Sequence, residues 1–261
     1  MKTKLIFAFA LVLAVFQATT YAQGGPPMLT DDPGTPGDGH WEINFLSTLE
    51  RSRTGWLFEA PNVDLNYGIG NNIQLKFEAP WVIRKESGER AIGGPGNSMA
   101  GIKWRFLDEE RSGFDVSTYP QIEFNNPTRS VAKGLMEPGM NLFLPIEAVK
   151  KVGPIEVNGE IGYRIVQHHT DEWEGGLLVT RRISRRIEFM AELHGSALRN
   201  MSDSELLFNA GSRVRLGKNN VLLFSAGRTI HSAPGEAPHF IAALGIQFNF
   251  KRGFLAALRA R

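Results

Sequence analysis

The chain has no cysteine. Disulfides, thiolate nucleophiles and cysteine-held zinc are therefore excluded from any account of its stability or chemistry. After residue 22 there is also no apolar run approaching the ~20 residues that a membrane-crossing helix requires. Charge of one sign is lacking as well. Removing Lys2 and Lys4 from the 29 basic residues leaves as many as the 27 acidic ones, so no basic footprint for nucleic acid is present. No low-complexity linker or block of like charge divides the chain, which reads as one domain.

The N-terminus carries the signals of export. Lys2 and Lys4 precede an apolar stretch over residues 5–16, and Thr20-Tyr21-Ala22 is a small-x-small cleavage site. Residues 1–22 are accordingly expected to be a cleaved signal peptide.

The remainder alternates apolar and polar residues in short segments, the pattern of a barrel strand that faces lipid on one side and a polar lumen on the other. Residues 72–83 show it most clearly: Ile73, Leu75, Phe77, Ala79 and Trp81 oppose Gln74, Lys76 and Glu78. Twelve such segments are predicted, over residues 40–49, 56–67, 72–83, 99–107, 113–124, 140–150, 155–167, 173–182, 186–198, 205–216, 220–230 and 239–250. The expected fold is all-β, a transmembrane antiparallel barrel of about 12 strands. Short turns near residues 68–71, 108–112, 151–154, 183–185 and 217–219 fall on the periplasmic side. Longer connections, over residues 50–55, 84–98, 125–139, 168–172, 199–204 and 231–238, fall outside. A soluble β-sandwich or lipocalin-like barrel would also alternate, with its apolar face buried and its charged face in water.

Aromatic residues support the membrane reading, because Trp and Tyr favour the two membrane–water interfaces. Trp41, Tyr67, Trp104, Phe114 and Phe250 fall at predicted periplasmic strand ends, and Trp56, Trp81, Phe124, Trp173 and Phe240 at external ends. Pro61, Pro80, Pro120 and Pro145 lie inside predicted strands, where each removes a ladder hydrogen bond and should mark a bulge or bend, or a lateral opening for apolar solutes.

The strand phases assign the lumen lining to Glu42, Asp64, Lys76, Glu78, Lys103, Arg105, Asp115, Gln121, Glu123, Glu147, Glu156, Asn158, Glu160, Arg164, Glu188, Glu192, His194, Arg213, Arg228 and Gln247. Carboxylates outnumber basic groups there, which implies mild cation preference or cross-barrel ion pairs that close the pore. Residues 23–39 are expected to be an N-terminal periplasmic segment or plug, residues 40–250 the barrel and residues 251–261 a tail.

No cofactor, metal site or catalytic chemistry is expected. His194 and Ser196, two apart on one strand, with Asn209 a strand later, are similar to the His, Ser and Asn arrangement of outer-membrane phospholipase A. Here, however, they share parity with Glu188 and Glu192 and so face the lumen. His168-His169 with Asp171 and Glu172 reads as a solvated loop. Asp31-Asp32 reads as turn chemistry around Pro33 and Gly34, and Gly93-Gly94-Pro95-Gly96 as a mobile external loop.

Four stretches resemble a known family: the Pro26-Pro27-Met28-Leu29-Thr30-Asp31-Asp32-Pro33-Gly34-Thr35-Pro36 run, Trp41-Glu42-Ile43-Asn44, Asp64-Leu65-Asn66-Tyr67-Gly68, and Gln74-Leu75-Lys76-Phe77-Glu78-Ala79-Pro80-Trp81. They resemble the outer-membrane "transporter" proteins grouped with the MetA pathway of phenol degradation. That resemblance implies a barrel in the bacterial outer membrane that passes small, often aromatic or hydrophobic, molecules. Its implied partners are the lipid bilayer and lipopolysaccharide, the outer-membrane assembly machinery and a small-molecule solute. A plugged structural or adhesive barrel is the alternative, and a lipid hydrolase using His194 and Ser196 a further one.

Overall fold

The computed structural model describes residues 25–232 and 240–251. The signal peptide expected over residues 1–22 lies outside them, as does the tail beyond Lys251.

Period-two alternation becomes fourteen β segments: β1 (His40–Arg51), β2 (Gly55–Ile69), β3 (Ile73–Glu86), β4 (Ile92–Pro95), β5 (Ser98–Leu107), β6 (Asp115–Thr118), β7 (Gln121–Phe124), β8 (Met140–Val152), β9 (Ile155–Val166), β10 (Glu172–Arg182), β11 (Ile187–Leu198), β12 (Ser204–Arg215), β13 (Asn220–Ser232) and β14 (Phe240–Lys251). All pairs are antiparallel, and β1 closes on β14 with Trp41 opposite Phe250 and Arg51 opposite Phe240. β4 and β5 both pair with β3, and β6 and β7 both pair with β5 and β8. Each of these two pairs is therefore one interrupted stave, and the result is a closed barrel of 12 strands.

Sidedness is the reverse of a soluble protein. Asn44, Glu147 and Asn209 are 0% exposed inside the wall, whereas Ile161 is 61% and Leu244 59% exposed outside it. A soluble sandwich or lipocalin-like barrel would show the opposite, so that reading is overturned. The outer surface is consistent with hydrocarbon as its solvent, and it has a testable cost. Leu193 lies midway along β11 and faces out. Leu193→Arg is expected to destabilise the barrel in lipid vesicles by about 2–4 kcal/mol, read from urea unfolding. The same change measured at under about 1 kcal/mol would place that face at an interface or in water.

The prolines account for the irregular sector. Between Glu59 and Asn62 the β2–β3 register shifts, so Ala60 and Pro61 together form a bulge. Pro120 has no N–H and stands where β6 gives way to β7. Pro145 lies between Phe143, which pairs with β7, and Ile146, which pairs with β6. Pro80 lies at the level where the partner of β3 passes from β5 to β4.

Connections depart from the sequence reading in three places. The loop expected over residues 84–98 is mostly strand, because β3 runs on to Glu86 and Gly93-Gly94-Pro95 pairs with it in β4. The β1–β2 connection is tight, since the Ser52 hydroxyl accepts from the N–H groups of Thr54 and Gly55. Conversely, the β5–β6 turn holds a short helix, α1 (Glu109–Ser112). The Asp115 carboxylate accepts the Glu109 N–H at its start, and Gly113, at φ 80°, closes its end.

Candidate functional site in the barrel lumen

Each strand contributes to the lumen through every second residue, and the polar members of that set meet one another and residues 25–39. This stretch lies within the wall as a compact turn. Gly25 N–H donates to Thr30 O (3.0 Å) and Met28 N–H to Gly25 O (3.0 Å). Near the short-turn end it is tied by Gly39 N–H to Gly68 O (3.0 Å), Gly70 N–H to Asp38 Oδ1 (2.9 Å) and the Thr35 hydroxyl to Asn71 O (2.8 Å).

Deeper inside, wall side chains satisfy the backbone of this segment, and so do the work that its missing secondary structure would otherwise do. Glu192 accepts the N–H groups of Leu29 (3.0 Å) and Thr30 (2.9 Å), and Glu160 that of Asp31 (3.2 Å). Arg213 donates to Pro26 O from Nε (3.0 Å) and Nη2 (2.6 Å), while the Ser225 hydroxyl reaches Pro27 O (2.8 Å). Asn158 donates to Asp31 O. Met28 packs on Leu178 and Met190 in a small apolar cluster. Close approach is permitted by two glycines: a Cβ at Gly176 would stand 2.0 Å from Thr30 Oγ1, and one at Gly211 2.5 Å from Met28 Cε.

The electrostatic centre is Lys103. Its ammonium lies 2.8 Å from Asp31 Oδ1 and 3.5 Å from Glu147 Oε2, donates to Asp32 O, and sits 4.4 Å from the centroid of the Tyr119 ring. Glu147 is held by the Ser117 hydroxyl, and Tyr119 Oη by Gln74 Nε2 (3.1 Å). A second network joins Lys76 to Glu78 (3.0 Å) and Asp64 (3.5 Å), with Asn62 donating to Glu78 and Asn44 to Asp64. A third lies toward the long-loop end, where Arg164 Nε donates to Glu174 (2.8 Å) and His194 Nε2 stands 3.6 Å from the same carboxylate.

Most of the lining anticipated from sequence is therefore inside and largely paired. Gln247 donates to Glu42, Glu123 accepts from Asn97, and Arg105 pairs with Asp108 at 3.1 Å. Asp115 serves α1, as above. Gln121 shares inward parity with Tyr119 and Glu123, and Glu156 lies opposite Lys151 and Thr180. Glu188 lies between Arg182 (3.3 Å) and Arg213 (3.8 Å).

Arg228 does not belong to this set. It is exposed on the outer face beside Phe208 and Ile230, while Leu223, Ser225 and Thr229 point inward. The apolar run Leu222-Leu223-Phe224 carries no alternation by which to set the phase of β13. The turn role expected for both aspartates holds for Asp32, which accepts the Gly34 N–H (2.7 Å); Asp31 is the partner of Lys103.

Several aromatic residues lie toward the two ends of the barrel, and others, Phe45, Phe77 and Phe208 among them, are exposed between the ends. The Trp41 and Tyr67 rings meet at 4.8 Å, tilted by 43°, with Trp41 in register with Phe250, and Trp104 lies 5.5 Å from Phe106, all toward the short-turn end. Trp173 contacts Tyr163 at 4.9 Å and Trp81 is exposed, both toward the long-loop end. No hydrogen bond joins His194, Ser196 and Asn209, although all three line one cavity. Asn209 lies opposite Glu192 and donates to it (2.8 Å) and to Met28 Sδ, while His194 lies opposite Leu207. Among the described residues, no group of three or more His, Asp or Glu could hold a metal ion.

Three spaces stand out among the described residues. A cavity of about 510 Å³ opens on the long-loop side of residues 25–31. Its lining combines carboxylates, including Glu50, Glu59, Glu78, Glu160 and Glu174, with apolar Leu46, Leu49, Met99, Phe143 and Ile241. A second, of about 350 Å³, opens at the short-turn end. Beside Asp32, Lys103 and Tyr119 a void of only about 30 Å³ remains, the scale of one water molecule. Sequence reasoning missed Asp31, Tyr119 and Glu174, and the cavity carboxylates Glu50 and Glu59; parity with Gln121 and Glu123 was the available signal for Tyr119, and parity against Trp173 for Glu174.

No family model matches the chain, and no curated protein matches it in sequence. Solved structures do share its fold. The COG4313 outer membrane channel from Pseudomonas putida F1 superposes with a TM-score of 0.73 at 13% identity, over 87% of this chain and 100% of that one. KdgM porin in complex with disordered oligogalacturonate gives 0.56 at 10% identity, over 80% and 99%. NanC porin gives 0.53 at 8% identity, over 79% and 98%.

Proposed function

We propose that this protein is a channel of the bacterial outer membrane, exported by a cleaved signal peptide, that passes small molecules along a narrow polar lumen. The observation that carries the reading is the pair of cavities at opposite ends of the barrel, separated by residues 25–36 acting as a plug. The fold shared with outer-membrane channels supports it. An inert structural barrel has no need of two open vestibules around a built constriction.

Solute chemistry follows from the larger vestibule. Apolar Leu46, Met99, Phe143 and Ile241, on different walls of the cavity, suit an aromatic or hydrophobic body held between them, and the carboxylates among them suit hydroxyl donors. That combination fits the phenol-related solutes implied by the resemblance to the MetA-pathway proteins. The interrupted pairing beside Pro80, Pro120 and Pro145 favours a sideways route for the most apolar of them. Lipid and lipopolysaccharide would surround the apolar outer face, and the barrel-assembly machinery would insert the chain.

The test is planar-bilayer conductance of the refolded mature protein with phenols in the bath. Steady conductance that phenol reduces in a saturable way is expected. Silence from a folded, heat-modifiable barrel would turn the reading to a plugged structural barrel.

A further inference from the structure

The cavity at the short-turn end differs in charge from the rest of the lumen. Its wall contains Arg182, Arg185, Arg186, Arg213, Arg215 and Lys218, against Glu42 and Glu188. The two carboxylates are already engaged: Glu188 with Arg182 and Arg213, and Glu42 with Gln247 and Asn44. Among the described residues Arg185, Arg186, Arg215 and Lys218 have no ion-pair partner, and all four are exposed.

These cations are placed together by the sheet rather than scattered along turns. β11 and β12 pair with Glu188 opposite Arg213 and Ile187 opposite Val214. One step further, Arg215 N–H donates to Arg186 O at 2.8 Å, which fixes Arg186 and Arg215 side by side. Both share the parity of the inward pair Glu188 and Arg213, so both belong to the lumen face. The β10–β11 turn that carries Arg185 and Arg186 is held in shape by the Ser184 hydroxyl, which accepts the N–H groups of Arg186 (3.2 Å) and Ile187 (3.1 Å).

Like charges directly opposite on paired strands destabilise the sheet. That cost is offset when an oxyanion lies between them, since two guanidinium forks match the geometry of phosphate or carboxylate oxygens. We propose that the short-turn mouth is a binding site for a soluble multivalent oxyanion of the phosphate or polycarboxylate class, gripped by Arg186 and Arg215 and surrounded by Arg185 and Lys218. Multivalency follows from the four cations that lack carboxylate partners. A soluble ligand, rather than a lipid headgroup, follows from their lining a lumen cavity of about 350 Å³ and not the apolar outer belt.

The site goes beyond the channel reading, and its test does not depend on conduction. Titration calorimetry of the mature protein in detergent micelles at low salt, with inorganic pyrophosphate as the probe, should show saturable binding. Arg186→Gln/Arg215→Gln, two exposed positions whose loss leaves the wall intact, should weaken it by about tenfold or more. Arg111→Gln/Lys150→Gln, two basic residues near the same end that do not line the cavity, should leave it unchanged. Absence of saturable heat, or equal binding by the Arg186/Arg215 variant, would overturn the site. So would a variant defect seen only as lost retention of phosphatidylglycerol relative to phosphatidylcholine, which would assign the arginines to lipid headgroups.

Discussion

Deleting residues 25–34 is expected to raise single-channel conductance several-fold while leaving a folded, heat-modifiable barrel. The wall does not need this segment for closure, because β1 begins at His40 and closes on β14 through a continuous ladder. The lumen does depend on it. Glu160, Glu192, Asn158, Lys103, Arg213 and Ser225 all direct hydrogen bonds or charge to the segment, and the gap left beside it is about the size of one water. With the segment gone those groups are hydrated, so the barrel keeps its polar interior and gains cross-section. A barrel of this strand number is intermediate between small side-chain-filled barrels and open porins, so the segment decides which of the two it resembles. Recording the wild-type and deleted proteins in the same bilayer and salt checks this. Equal conductance would mean that ions do not pass along the barrel axis, and would leave the sideways route near Pro80 and Pro120 as the passage to test.

The wall was legible from sequence because membrane strands obey a local rule. In β3, Ile73, Leu75 and Phe77 against Gln74, Lys76 and Glu78 state both the strand and its sidedness within a few residues. The rule fails where alternation is weak. Leu222-Leu223-Phe224 left β13 unphased and put Arg228 on the wrong face, and Gly93-Gly94-Pro95 resembled a loop because glycine does not show which way a strand faces. The interior was less legible for a different reason. Glu192 and Thr30 are 162 residues apart, and Arg213 and Pro26 are 187 apart, so nothing local marks Glu192 as an acceptor for backbone N–H groups or Asp31 as the counter-ion of Lys103. Sequence could say that residues 23–39 precede the barrel and are rich in turn formers. Only the assembled wall shows which side chains receive them.

Lys103→Met is expected to destabilise the protein by about 3–5 kcal/mol, the largest effect of any single substitution argued for this lumen. Lys103 is almost fully buried and compensates two carboxylates, Asp31 at 2.8 Å and Glu147 at 3.5 Å, while also donating to Asp32 O. Methionine of similar volume keeps the packing against Tyr119 but leaves both carboxylates in a confined space with no cation. Removing one partner of a buried ionic group costs more than the group contributes intact, because the remaining charge has lost its hydration and gained nothing in return. The companion changes separate this cause from simple misfit. Asp31→Asn should cost less, since Lys103 keeps Glu147, and Glu147→Gln added to Lys103→Met should restore part of the loss. Urea unfolding of the refolded proteins in detergent micelles reads all three. If Lys103→Met unfolds at the wild-type midpoint, the carboxylates are compensated by water and the segment is not locked by charge. If it is destabilised but Glu147→Gln restores nothing, the loss comes from packing on Tyr119, and the ammonium acts as a spacer and not as a counter-ion.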